Sequence, residues 1–260
     1  MQTIRTDDAV LHVSDTGPRD GRAVLFGNSL GTDLRVWDAM LPHLPEDLRL
    51  IRWDKRGHGL SDVGDSRFDI DLLVKDAAAV VDAAGVRSVT VVGLSIGGLI
   101  GLGLALARPD LVKGLVLMDT AARIGTPQLW DDRIAALERD GLEAMADGVM
   151  DRWFSAAMRS DAGRVAPWRN GLSRTAPEGY IGCCRAIGGA DFTDRLPDIS
   201  CPVIAMAGAE DKATPPDLVR ATADALGAPF HLIEGAGHLP CVERPEKTAA
   251  LITRFLEETA

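Results

Sequence analysis

Cysteine is scarce in this chain: Cys183, Cys184, Cys201 and Cys241 are the only four in 260 residues. Their spacing matches neither a zinc site nor a C-x-x-C redox pair, and it is too sparse for a disulfide framework, so free thiols are expected. An excess of positive charge is missing as well. Against 28 Lys and Arg stand 38 Asp and Glu, a net charge of −10, which argues against a nucleic-acid partner because phosphate binding needs a basic surface. Met1 to Asp8 holds no apolar core of a signal peptide, so the expected location is the cytoplasm. Internal repeats, low-complexity tracts and flexible linkers are absent. The stretch Val89 to Ala107 runs 19 residues without a formal charge and includes Gly97-x-x-x-Gly101, which resembles a membrane-helix pairing pattern. Gly93, however, divides it into a β-branched strand and a helix-length piece, so it reads as a buried strand, a turn and a buried helix, not a membrane span.

Apolar residues make up 46% of the chain, enough to bury one sizeable core. Strands are expected at Val10–Val13, Ala23–Phe26, Leu48–Trp53, Val89–Val92, Leu115–Met118, Val203–Ala207 and Phe230–Ile233. Helical spacing covers Phe68–Ala84, stopped by Gly85, and then the segment ending near Arg108-Pro109, Asp217–Leu226 and Pro245–Glu258. This alternation predicts an α/β fold with a mostly parallel central sheet flanked by helices. The rhythm breaks after Thr120. Residues 121–195 show amphipathic helical pieces, including Trp130–Asp140 and Leu142–Phe154, but no strand. The expected organisation is a single domain over 1–260, its core formed by 1–120 and 196–260 and its helical cap by 121–195.

Gly93-Leu94-Ser95-Ile96-Gly97 fits G-x-S-x-G, with a strand before it and a helix after it. That context turns Ser95 into a candidate nucleophile on a sharp strand-to-helix turn, with the helix N-terminus directed at a developing oxyanion. A serine hydroxyl needs a base, and the chain offers only five histidines. His238 lies in a loop between the last strand and the last helix, at the carboxyl edge shared by Ser95. His58, in Asp54-Lys55-Arg56-Gly57-His58-Gly59, reads as structural, and His12, His43 and His231 are poorly placed. Asp211 follows the Val203–Ala207 strand and is favoured as the acid that orients His238; Asp119, ending the preceding strand, is its competitor. The expected oxyanion donors are the backbone N–H of Ile96 and that of Leu30, in Gly27-Asn28-Ser29-Leu30-Gly31-Thr32.

With these motifs placed, the chain resembles the α/β-hydrolase superfamily over nearly its whole length. Gly27 to Trp37, Asp119-Thr120-Ala121-Ala122-Arg123-Ile124-Gly125 and Arg174-Thr175-Ala176-Pro177-Glu178-Gly179-Tyr180 narrow the likeness to 3-oxoadipate enol-lactonases. The resemblance implies cofactor-free, metal-free hydrolysis of β-ketoadipate enol-lactone to 3-oxoadipate in aromatic catabolism. Such a substrate is a small anion, so a cationic side chain has to hold its carboxylate. Arg133, at i, i+3 from Trp130, is the first choice and Arg123 the second. Trp130 and Trp153 are either cap core or pocket wall. A carboxylesterase, another lactonase, a cofactor-free perhydrolase or a hydrolase-fold ligand receptor are the alternatives, and the oligomeric state is open.

Overall fold

In the computed structural model, which describes residues 1–259, strands run over Gln2–Arg5 (β1), Val10–Thr16 (β2), Arg22–Gly27 (β3), Leu48–Trp53 (β4), Val89–Leu94 (β5), Val112–Met118 (β6), Val203–Gly208 (β7) and Phe230–Ile233 (β8). They form one sheet in the order β1-β2-β4-β3-β5-β6-β7-β8. β1 and β2 pair antiparallel, as do β2 and β4, and every later pairing is parallel. The central strands are apolar on both faces because both faces are covered: all six residues of β5 are buried. The strand β1, Gln-Thr-Ile-Arg, is not signalled by the sequence pattern. As an edge strand it buries little, and only Ile4 packs against the core.

The helices are Ile70–Ala84 (α1), Ile96–Ala107 (α2), Pro127–Trp153 (α3), Ala156–Arg159 (α4), Ala162–Ser173 (α5), Pro177–Gly189 (α6), Pro216–Ala225 (α7), Pro240–Glu243 (α8) and Pro245–Glu258 (α9). α1 begins where the Asp69 side chain accepts from Leu72 N–H, and it ends at Gly85, whose φ of 66° no β-carbon favours. α2 is apolar all round and buried against the sheet. Among the described residues, only helices lie between β6 and β7. There the two expected pieces lie end to end within α3, divided by a kink at Gly141, whose φ of 77° and ψ of 167° are not helical. No described helix is long and apolar enough to cross a membrane. The parallel strands end together at one edge, with Gly27 beside Gly93, Leu94 beside Met118 and Gly208 beside Ile233.

Candidate active site

At that edge the chain leaves β5 through Ser95, whose φ of 57° and ψ of −120° lie outside the usual basins. The turn closes because its neighbours carry no side chain. A β-carbon on Gly93 would come within 2.4 Å of Gly97 O, and one on Gly97 within 2.1 Å of Gly27 O. Ser95 N–H donates to Met118 O at 2.9 Å and Thr120 Oγ1 donates to Ser95 O at 2.7 Å, so the strained residue is held from both sides. Ile96 then starts α2 with its N–H at the positive end of the helix dipole.

His238 reaches the same place from the loop after β8. Its N–H donates to Trp153 O at 2.7 Å, and the preceding Gly237 N–H donates to Glu243 Oε1 at 2.7 Å. His238 Nδ1 lies 2.9 Å from Asp211 Oδ2. The other Asp211 oxygen accepts from the N–H groups of Ala213 (2.7 Å) and Thr214 (3.1 Å), and Thr214 Oγ1 donates to Oδ2 at 2.6 Å. Burial opposes ionisation of Asp211, but the His238 charge and hydrogen bond together with the Thr214 and Ala213 donors outweigh it and hold its carboxyl below the ordinary value.

Asp119 is drawn into the same cluster: one of its oxygens, one of Asp211 and a ring nitrogen of His238 lie within 4.8 Å of one another. Its Oδ1 accepts from Gly208 N–H at 2.8 Å, while Oδ2 is buried without a partner among the described residues. Burial first, and then the Asp211 charge, push the Asp119 carboxyl well above its ordinary range. Of the two candidate acids, only Asp211 hydrogen-bonds the imidazole. The three groups could each offer one atom to a cation, yet the hydrogens of Ala213, Thr214 and His238 point at both Asp211 oxygens, which suits an anion and opposes a metal ion.

The other imidazole nitrogen, Nε2, faces Ser29 Oγ at 3.2 Å. Among the described residues no hydrogen bond joins it to Ser95 Oγ; contacts of this kind commonly tighten only around the substrate. Ser29 and Leu30 sit on the turn after β3, and that turn is fastened from beneath. The fully buried Lys55 donates to Ser29 O at 2.6 Å and Thr32 O at 3.0 Å, and Gly31 N–H donates to His58 Nε2 at 3.0 Å. Burial pushes the Lys55 ammonium down to about 8. Asn28 bridges Trp37 Nε1 and Trp53 O. Neither Leu30 N–H nor Ile96 N–H donates to an acceptor among the described residues, so both are free to meet an oxyanion.

A cavity of about 440 Å³ opens above these groups, lined by Ser29, Leu30, Ser95 and His238 below and by Trp130, Arg133, Arg152, Trp153 and Tyr180 from the helices above. Arg133 donates to Tyr180 Oη at 2.5 Å and lies 5.7 Å from the Trp130 ring centre. Arg123 lies outside the cavity, half-exposed and paired with Asp191 at 3.3 Å. The pairing follows from its place in the connection after β6, where Asp191 returns from the end of α6.

A model described as the alpha/beta hydrolase family matches residues 24–251. The chain belongs to the alpha/beta hydrolase family. It is an enzyme of the hydrolase class, and its similarity to named hydrolases covers more than nine-tenths of its length. It is 32% identical over 251 residues to 3-oxoadipate enol-lactonase 2 of Acinetobacter baylyi, covering 94% of this chain and 92% of the relative. The crystal structure of the enol-lactonase from Burkholderia xenovorans LB400 superposes with a TM-score of 0.94 at 32% identity, covering 98% of this chain and all of that one. A non-heme chloroperoxidase of Streptomyces lividans is 29% identical, covering 95% of this chain and 96% of the relative.

Several groups of this hydrolase site carry no local motif. Thr214 and Glu243 reach it only through the tertiary arrangement, and Arg152 looks in sequence like any other arginine of the helical segment. Lys55 and Ser29 sit inside the motifs around His58 and Leu30, but nothing in the pattern says that one supports the turn and the other meets the base.

Proposed function

We propose that this hydrolase opens β-ketoadipate enol-lactone to 3-oxoadipate through an acyl-enzyme on Ser95. The observation that carries the reading is the pairing, in one cavity, of a serine–histidine–aspartate site with two arginines that have no acidic partner among the described residues. Arg123, Arg159 and Arg169 of the same region pair with carboxylates. Arg133 and Arg152 line the cavity with no carboxylate within salt-bridge distance among the described residues. Burial, and then the like charge of Arg133, lower the Arg152 pKa. On a chain of net charge −10, two adjacent cations left unpaired at a nucleophile fit a substrate that brings its own carboxylate.

In this reading Ser95 Oγ attacks the lactone carbonyl and His238 Nε2 takes its proton, while Asp211 holds Nδ1–H and stabilises the imidazolium. The tetrahedral oxyanion sits against the N–H groups of Leu30 and Ile96, each such donor contributing roughly 2.7–4 kcal/mol. Ring opening expels an enolate, which takes up the proton held on Nε2 and becomes the ketone; this restores the neutral imidazole and removes the nucleophile that could close the ring again. Water activated by His238 then frees Ser95. Arg133 holds the substrate carboxylate between Trp130 and Trp153, under the helical segment 121–195, which we read as a cap on a single domain.

The test follows the ultraviolet absorbance of the enol-lactone with wild type and Ser95→Ala, with p-nitrophenyl acetate as the control ester. Turnover of the enol-lactone that vanishes in Ser95→Ala is expected. Hydrolysis of the control ester with no gain over background on the enol-lactone would sink the lactonase and leave a carboxylesterase, and inactivity on both would favour a ligand receptor.

A further inference from the structure

One polar side chain at the reacting centre has no part in that chemistry. Ser29 is 1% exposed, lines the same cavity as Ser95, and places its hydroxyl 3.2 Å from His238 Nε2, the nitrogen that must accept and return the proton. Nδ1 is committed to Asp211, so Ser29 and Ser95 are the two hydroxyls available to Nε2. The Ser29 backbone is anchored: its carbonyl accepts from Lys55 Nζ at 2.6 Å, Thr32 Oγ1 at 2.9 Å and Thr32 N–H at 3.2 Å. A hydroxyl on so rigid a turn is held within hydrogen-bond reach of a proton carried on Nε2 and opens into the cavity where the substrate must sit.

We propose that Ser29 is a catalytic residue that passes the proton of His238 to the leaving oxygen; the proposal rests on the serine-hydrolase reading above. When Ser95 Oγ bonds to the carbonyl carbon, its proton goes to Nε2. When the intermediate collapses, the bond from that carbon to the leaving oxygen breaks and the electron pair stays on the oxygen. The Nε2 proton then moves to Ser29 Oγ as the Ser29 hydroxyl proton moves to the leaving oxygen. Ser29 ends as a neutral hydroxyl, His238 as a neutral imidazole, and no further reactant is consumed. The relay has a geometric reason. A hydroxyl arm extends the reach of Nε2 by one O–H···O link of about 2.7 Å, toward a leaving oxygen, of an ester or a lactone, that the imidazole itself does not touch.

The experiment compares kcat/KM, which reports the steps up to the acyl-enzyme, for wild type, Ser29→Ala and Ser29→Gly. The substrates are p-nitrophenyl, phenyl and ethyl acetate and γ-butyrolactone, a series of worsening leaving groups. Loss of a proton donor is worth roughly 10²-fold or more where the leaving group needs protonation. Both variants are therefore expected to lose that much on ethyl acetate and the lactone, and little on p-nitrophenyl acetate. An equal loss on all four substrates, no loss on any, or a steepening in one variant alone would assign Ser29 to packing and overturn the proposal. The hydrolase reading fails separately, if wild type shows no Ser95-dependent turnover of any ester or of the enol-lactone.

Discussion

Asp119 and Asp211 are the same residue type in one buried cluster, and their surroundings drive them apart. Asp211 receives four hydrogens and faces His238, so its carboxyl is held low; Asp119 has one N–H donor and an orphaned Oδ2, so burial and the Asp211 charge hold it high. A carboxyl raised in the folded state favours folding in its protonated form. Its contribution is fully present below the ordinary carboxylate range and is lost as pH rises toward the folded value. Asp119→Asn keeps the Gly208 contact and does not titrate. The variant is therefore expected to match or trail wild type in thermal stability near pH 4 and to gain on it steadily up to neutral pH. Melting curves across that range check this, and a difference that is flat with pH would show that Asp119 carries no raised pKa. The two acids could be ranked from sequence, because a loop opening directly after a strand is a local feature. The opposite shifts of their pKa values could not, since these depend on burial and on donors from Gly208, Ala213 and Thr214.

At the scale of elements, the strand β5, the turn at Ser95 and the helix α2 form a unit whose spacing to β3 is set by backbone contact at Gly27, Gly93 and Gly97. Gly97→Ala puts a β-carbon 2.1 Å from Gly27 O, and overpacking of this sort costs about 1–3 kcal/mol. Urea denaturation should show a lowered midpoint. The loss of activity should exceed the loss of folded protein, because the same shift displaces the Ile96 N–H from the turn that carries Leu30. Unchanged kcat in a destabilised variant would separate the elbow from that turn. The central strands and the helices α1 and α9 were legible as runs and periodicities, because burial on both faces or along one stripe leaves a strong pattern. The edge strand β1 was not, since it exists through pairing with β2 and buries little. The division of α3 into two helical pieces was legible, because Gly141 between them takes a positive φ that interrupts the helix.

For the whole molecule, a net charge of −10 repels an anionic substrate, and Arg133 and Arg152 oppose it locally. Hydrogen bonds to charged groups contribute roughly 1.5–3 kcal/mol, so Arg133→Ala is expected to lower kcat/KM for the enol-lactone by roughly 10- to 150-fold. Uncharged p-nitrophenyl acetate, assayed alongside, should be little affected; an equal fall on both would mean that Arg133 supports the fold of the cap and not the carboxylate. What the amino-acid order determined by itself is the local chemistry: the alternation of strands and helices, the elbow that demands glycines around Ser95, and the order Ser95, Asp211, His238 along the chain. What only the tertiary structure decided is which distant groups meet. It set Arg133 in the cavity and Arg123 outside it, brought Ser29 to the imidazole, and left Asp119 without a partner for one oxygen. These outcomes depend on contacts between residues tens to hundreds of positions apart, where no periodicity or spacing carries a signal, and on the low-dielectric surroundings that exist only once the core has closed.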